Sequence, residues 1–322
     1  MTTTLTRTTP VRAASPERRR RSRRRIRGRF RAPALLLAPF LVLFTACTLT
    51  PIAYAVYLSL FSVRHSGLGF GEAGSVFTGL GNYTRALADP AFRAGFATVG
   101  QYCLLYIPVM IGASLLLALL LDSTLVKARR FFQLALFLPH AVPGIIAALI
   151  WVYLYAPGIS PVLGALGSAG VTVDILGHPL PAVVNMAAWQ WTGYNVVIFY
   201  AALQAIPREV LEAGLMDGAG QLRTSVSIKL PLIRGSLTTV AIFTVIGALQ
   251  LFTEPMILYG TAPAVDSSWT PNMFAYTAAF QRNDSGLAAA ASVLLALVAA
   301  ALSFFVTGLA RRREAKTTGG HQ

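Results

Sequence analysis

The sequence predicts an all-α integral membrane protein with six transmembrane helices and both ends in the cytoplasm. Three observations lead there. Only 12% of the 322 residues are charged and 55% are hydrophobic, against about a quarter charged in soluble domains. The apolar residues fall in runs that reach the ~20 residues needed to cross the hydrocarbon core as a helix. The basic residues collect between alternate runs. With the N-terminus placed inside, all of the 27 Lys and Arg except Arg64, Arg85, Arg93 and Arg282 fall on inside segments, the side on which such residues accumulate.

Residues 1–31 read as a disordered tail carrying the arginines from Arg7 to Arg31, with no apolar periodicity. A tract of this kind suits either a nucleic-acid-binding arm or a flank that orients a first span against anionic lipid. The apolar run that follows at once selects the flank, so the bilayer and not nucleic acid is the expected partner. The transmembrane domain is placed at 32–310. Its first span is 34–61, where Pro39 and Pro51 are tolerable if neighbours cover the freed carbonyls. Ala53-Tyr54-Ala55 has the form of a signal-peptide cleavage site, but the apolar run continues to Val63 and the basic region before it is too long. Arg64 to Arg93 is polar and Gly-rich, and Asp89-Pro90 reads as a turn signal. The second span is 96–121, followed by a short basic turn. The third is 132–155, with Pro139 and Pro143 near its start. A Gly/Pro loop leads to the fourth span, 182–205. A polar stretch, 206–236, precedes the fifth span, 237–259. A polar loop, 260–286, precedes the sixth, 287–310, and a cytoplasmic tail, 311–322, begins with Arg311-Arg312-Arg313.

Catalytic and cofactor motifs do not appear. No Gly-Lys pair exists, so there is no phosphate-binding loop of the GxxxxGK[ST] type. His65, His140, His178 and His321 show no metal spacing, and His140 reads as a hydrogen-bonded interfacial residue. Cys47 and Cys103 lie inside apolar runs and read as packing residues. No metal or cofactor is expected on this chain, and it is not expected to be an enzyme. Energy for uphill transport must come from an ion gradient or from another chain. Ion-coupled carriers keep ionisable groups at mid-membrane, and the clearest such group is Glu254, beside Pro255.

The stretch from Glu212 to Pro231 holds Glu212, Asp217, Arg223 and Lys229 between two apolar runs. Pro207 can open a helix, Leu211 and Leu215 share a face four apart, and Asp217-Gly218 signals a turn. A second helix is expected from about Gln221 to Leu230, stopped by Pro231. The result is a cytoplasmic helix–turn–helix with more apolar surface than a connection needs.

Glu212-Ala213-Gly214-x-x-Asp217-Gly218-Ala219, followed by Ile228-x-Leu230-Pro231, resembles the EAA loop of permease subunits of binding-protein-dependent ABC importers. Phe77-x-Gly-Leu-x-Asn82-Tyr83, Trp189-Gln-Trp191-Thr-Gly193-Tyr194-Asn195 and Phe252-x-Glu254-Pro255 are similar to the carbohydrate-uptake branch, of the maltose or glycerol-phosphate type. The resemblance covers about Ala34 to Leu309. It implies the type I importer permease fold in a bacterial inner membrane. It also implies a second permease subunit, two ATPase subunits that bind ATP-Mg, and an external solute-binding protein. The loop would seat in a cleft on the ATPase, with Glu212 in an ion pair there. Departures are Gly214 where a second Ala is usual, Gly235 where Pro often stands, and Ser225 where an aromatic is common, which implies either looser docking or an ATPase matched to the smaller side chain.

Each role has a plainer reading beside it. Glu212 can pair with Arg208 one turn back, and Asp217 can cap the second helix. Trp191, Thr192, Tyr194 and Asn195, faced by Gln250 and Glu254, supply the aromatic and hydrogen-bonding groups a sugar path needs. Trp189, Trp191 and Tyr194 also suit an interfacial aromatic belt. The alternative function is a stand-alone ion-coupled carrier or channel.

Overall fold

The computed structural model describes residues 36–64, 74–123 and 126–318. The Arg-rich tail predicted at 1–31 lies outside them, as do residues 319–322. The first helix, α1 (Leu36–Ser59), widens into a π turn at Thr45–Leu49. That turn lies just ahead of Pro51, whose ring crowds the carbonyl four residues back; closing at i→i−5 gives it room.

Residues from Val56 on form one compact unit. The segment read as a polar loop before the second span is instead a two-stranded hairpin and a helix. β1 (Phe61–Arg64) pairs antiparallel with β2 (Gly74–Phe77), Phe61 opposite Phe77, and α2 (Gly81–Ala88) follows. Asn82, buried, donates from Nδ2 to the carbonyls of Ser59 at 3.0 Å and Phe61 at 2.7 Å. The Asn82-Tyr83 pair thus holds Ser59 and Phe61 to α2 within this unit, with the Tyr83 hydroxyl 2.7 Å from that of Ser59.

Helix α3 (Pro90–Asp122) starts earlier than predicted. Asp89 accepts from the Ala91 N–H at 2.9 Å and Pro90 fills the first helical position, so the pair is a cap and not a turn. The predicted third span is two helices. α4 (Arg129–Ala141) and α5 (Gly144–Tyr155) meet at 95° across extended Val142 and Pro143. The Gly/Pro loop after them contains α6 (Pro161–Ser168), capped by Ser160.

The predicted fourth span, 182–205, falls on α7 (Pro179–Gln204). α8 (Arg208–Met216) and α9 (221–232) lie in the polar stretch. The fifth predicted span breaks at 250–252 into α10 (Arg234–Leu249) and α11 (Thr253–Leu258). The loop predicted at 260–286 holds α12 (Pro271–Phe280), capped by Thr270, with Met273, Phe274 and Ala278 buried. Ten residues cannot cross a bilayer, so length alone hid this helix, although Thr270-Pro271 is a start signal. The last helix is α13 (Ser285–Thr318).

Among the described residues four helices are long and apolar enough to cross a membrane: α1, α3, the α10–α11 segment and Ser285–Gly308 of α13. The bent α4–α5 pair makes a fifth if it is counted as one span. α7 has the length, but Asn185, Gln190, Thr192 and Asn195 dilute its hydropathy. Those residues have work at the centre of the unit. α7 lies along α3. Val183 and Met186 pack with Tyr106 and Met110 toward one end, and Val196, Phe199 and Leu203 pack with Ala118 and Leu121 toward the other. Gln190 Nε2 donates at 3.1 Å to the carbonyl of Val142 at the α4–α5 break. Asn185 donates to the Tyr155 hydroxyl at 2.6 Å.

Glycines set the closest approaches, as expected where packing and not water drives helix association. A Cβ on Gly193 would lie 1.7 Å from the Leu136 carbonyl oxygen of α4, and one on Gly286 would lie 2.1 Å from that of Phe61. Gly193→Ala is expected to cost at least the ~1–3 kcal/mol typical of overpacking. Gly100→Ala, where a Cβ meets nothing within 4 Å, is expected to stay within about 0.5 kcal/mol. Thermal unfolding of the detergent-solubilised variants measures both.

Candidate functional site

Two regions gather the polar and aromatic residues singled out above. The first is a helical hairpin. Pro207 precedes α8, which ends at Met216. Gly218 takes φ +74°, and the N–H groups of Gly218 and Ala219 return to the carbonyls of Leu215 and Gly214, each at 3.0 Å. This is a Schellman closure, which favours Gly at the left-handed position. Gly214, Ala219 and Thr224 are buried in the angle. A Cβ on Gly214 would lie 2.4 Å from Ile228 Cδ1, so the small residue at 214 is matched to the large one at 228.

Pro231 does not stop the second helix. α9 runs from Gln221 through Pro231 to Leu232 by opening into a π segment at Thr224–Lys229, where the Leu230 N–H bonds the Ser225 carbonyl. Only Ile233 separates it from α10. Glu212, Ala213 and Asp217 are exposed. The Arg208–Glu212 pair does not form: among the described residues the ion pairs are Arg85–Asp284 and Lys229–Asp122. Asp217 does not cap α9, because Gly220 holds that position with no side-chain bond. Ser225 is turned inward, lining a cavity of about 410 Å³ with Leu211, Leu215 and the ends of α3 and α7. The most exposed apolar side chains of the hairpin are Met216, 88% exposed, and Leu222, 79% exposed.

That cavity contains a polar cluster the sequence reading missed. Asp122, the last residue of α3, pairs with Lys229 of α9 and accepts from Gln204 Nε2 of α7 at 2.6 Å. These residues are far apart in sequence, and Asp122 reads there as one more polar residue in a turn.

The second region is a cavity of about 450 Å³ between α3, α7 and the α10–α11 break. Trp191, Tyr194, Asn195, Gln250 and Glu254 all line it. Thr192 does not. Helical spacing puts 191, 194 and 195 on one face, while Thr192 points at α3, 3.5 Å from Met110 Sδ. Trp189 also turns away, edge-on to Trp151 at 5.7 Å. Tyr102, Tyr106, Thr244 and Phe252 complete the wall. Tyr102 and Tyr106 stack at 4.9 Å; two tyrosines one turn apart in an apolar span were the available signal. Glu254 stands in the first turn of α11, where the helix dipole favours an acid. His140, expected to be hydrogen-bonded, makes aromatic contacts instead. Its ring lies 4.7 Å from Trp191 and 4.8 Å from Tyr194, and its Nδ1 has no hydrogen-bond partner among the described residues.

Comparison with known proteins gives these regions a context. The family model described as the inner membrane component of binding-protein-dependent transport systems matches residues 102–316, a span that holds both cavities and the hairpin. The diacetylchitobiose uptake system permease protein NgcF of Streptomyces coelicolor is 30% identical, over 84% of this chain and 80% of that one. The probable ABC transporter permease protein YurN of Bacillus subtilis is 31% identical, over 85% and 96%. The arabinooligosaccharides transport system permease protein AraP of Halalkalibacterium halodurans is 28% identical, over 85% and 86%. Among solved structures, a bacterial ABC transporter involved in import of the acidic polysaccharide alginate superposes with a TM-score of 0.74 at 21% identity, covering 91% of this chain and 99% of that one. The fold is therefore that of ABC importer permeases, and a stand-alone ion-coupled carrier is disfavoured. Matched over most of its length by the family model and by these relatives, the chain belongs to the inner membrane components of binding-protein-dependent transport systems.

Proposed function

We propose that the chain is one permease subunit of an ATP-driven importer for a sugar or sugar-like solute, with six spans and both termini in the cytoplasm. It pairs with a second permease and sits on two ATPase subunits that hold the ATP-Mg. An external binding protein delivers the solute. Support for the sugar class comes from the relatives, which are named for arabinooligosaccharide and diacetylchitobiose transport. The observation that carries it is the make-up of the cavity. Tyr102, Tyr106, Trp191 and Tyr194 offer aromatic faces to the apolar faces of sugar rings, while Asn195, Gln250 and Glu254 offer hydrogen bonds.

Seated in the ATPase, the hairpin carries the closing motion of the nucleotide-bound pair into the membrane. Met216 and Leu222 project furthest among the apolar side chains, and Glu212 stands exposed on the first helix for a cation of the partner. α9 leads almost directly into α10, whose far end bounds the cavity through Thr244 and Gly247. A push on the hairpin thus reaches the wall through one nearly continuous helix.

In the complex reconstituted with its binding protein, Glu212→Lys is expected to lower ATP-dependent uptake by ~30-fold or more, the low end of the ~2–5 kcal/mol cost of breaking a buried interfacial pair. Normal uptake by a stably assembled Glu212→Lys complex overturns the assignment of Glu212. Trp191→Ala is expected to reduce the initial rate of labelled-sugar uptake ~10-fold, about 1.4 kcal/mol. Thr192→Val, at a side chain turned out of the cavity toward Met110, is expected to stay within about 2-fold. Equal effects from the two would remove the cavity as the path.

A further inference from the structure

The three helices that wall the cavity, α3, α7 and α10, are gathered again at their hairpin ends. From Tyr106 to Asp122 along α3 is about 24 Å, and from Trp191 to Gln204 along α7 about 20 Å. α7 and α10 are each joined to the hairpin by the chain itself, through residues 205–207 and through Ile233. α3 has no such link, and one carboxylate at its end supplies a polar one. Asp122 takes Lys229 of α9 on Oδ2 and Gln204 of α7 on Oδ1 at 2.6 Å.

The placement of Asp122 is unfavourable on its own. It closes α3, and an acid in the last turn faces the negative end of the helix dipole. Its side chain is 9% exposed and that of Lys229 is 15% exposed, so each would be a poorly solvated charge without the other. Arg129, a neighbouring cation, is engaged with the carbonyls of Ser123 at 2.9 Å and Val126 at 3.2 Å. Lys229 is therefore the matched counter-charge, and it comes from the element that moves. The π segment Thr224–Lys229 ends at this residue, so the wide turn that admits Pro231 also sets the direction in which the lysine leaves the helix.

We propose that Asp122 is a positioning residue for coupling: through Lys229 and Gln204 it fastens α3 to the hairpin and to the adjoining end of α7, so that hairpin motion displaces all three cavity helices together. The proposal rests on the reading of the hairpin as the ATPase-docking element. Without the fastening, a hairpin driven by the ATPase moves α7 and α10 while α3 follows only through apolar packing, and hydrolysis proceeds with little transport.

The test reconstitutes the full complex in liposomes with its binding protein. It measures ATP hydrolysed per sugar molecule imported for wild type, Asp122→Asn, Lys229→Gln and the charge swap Asp122→Lys/Lys229→Asp. Each single variant is expected to raise the ratio at least ~10-fold, and the swap to return it to within ~3-fold of wild type. A role limited to holding the fold together would lower hydrolysis and uptake in proportion and leave the ratio flat. Ratios within 2-fold of wild type in assembled single variants overturn the proposal, as does a swap no better than the singles. If the charge variants do not assemble, Gln204→Leu, which removes only the neutral arm, is measured instead. A ratio raised ~3-fold or more supports the proposal and an unchanged ratio overturns it. Wild-type complex with no ATP-dependent uptake would overturn the proposed function itself, whereas coupled wild type with coupled variants overturns this inference alone.

Discussion

A backbone carbonyl without a partner is tolerable in water and costly in hydrocarbon, and this single constraint explains why α7 is the least apolar of the long helices. The α4–α5 bend leaves the Val142 carbonyl outside any helix, and Gln190 satisfies it. Asn185 holds the Tyr155 hydroxyl, which in turn donates to the Ala182 carbonyl at 3.3 Å. The polar side chains that dilute the hydropathy of α7 are thus what lets its neighbour bend. They need the two helices in near contact, which the absence of a side chain at Gly193 provides.

The cavity belongs to the second break. Interrupting α10–α11 at 250–252 places Gln250, Phe252 and Glu254 in its wall. The hairpin lies about 20 Å of helix away, and the rods between the two regions are long and unbroken over that distance.

Much of this was legible in the sequence. The bounds of α8, the turn at Gly218 and the grouping of Trp191, Tyr194, Asn195, Gln250 and Glu254 follow from local chemistry: a cap, a glycine, a helical repeat. Thr192 was misplaced because residue type was read without its angle on the helix. α2, α6 and α12 went unseen because they are too short for a span, though Ser160-Pro161 and Thr270-Pro271 mark two of their starts. The 95° bend and the Asp122–Lys229 pair were not legible, because each depends on residues distant in sequence that meet only after packing. Pro231 was read as a stop, since a proline ends an α-helix of ordinary width; a wider turn lets it pass.

The bond from Gln190 to Val142 also imposes an order on assembly. A membrane chain is threaded from its N-terminus, so Val142 and Pro143 reach the bilayer before Gln190 does. The bent pair must first enter with that carbonyl served by something else, water or lipid headgroup near the surface, and can settle only when α7 arrives beside it. Truncation before Gln190 therefore removes more than one helix: it withdraws the late partner that allows an earlier part of the chain to adopt its final shape.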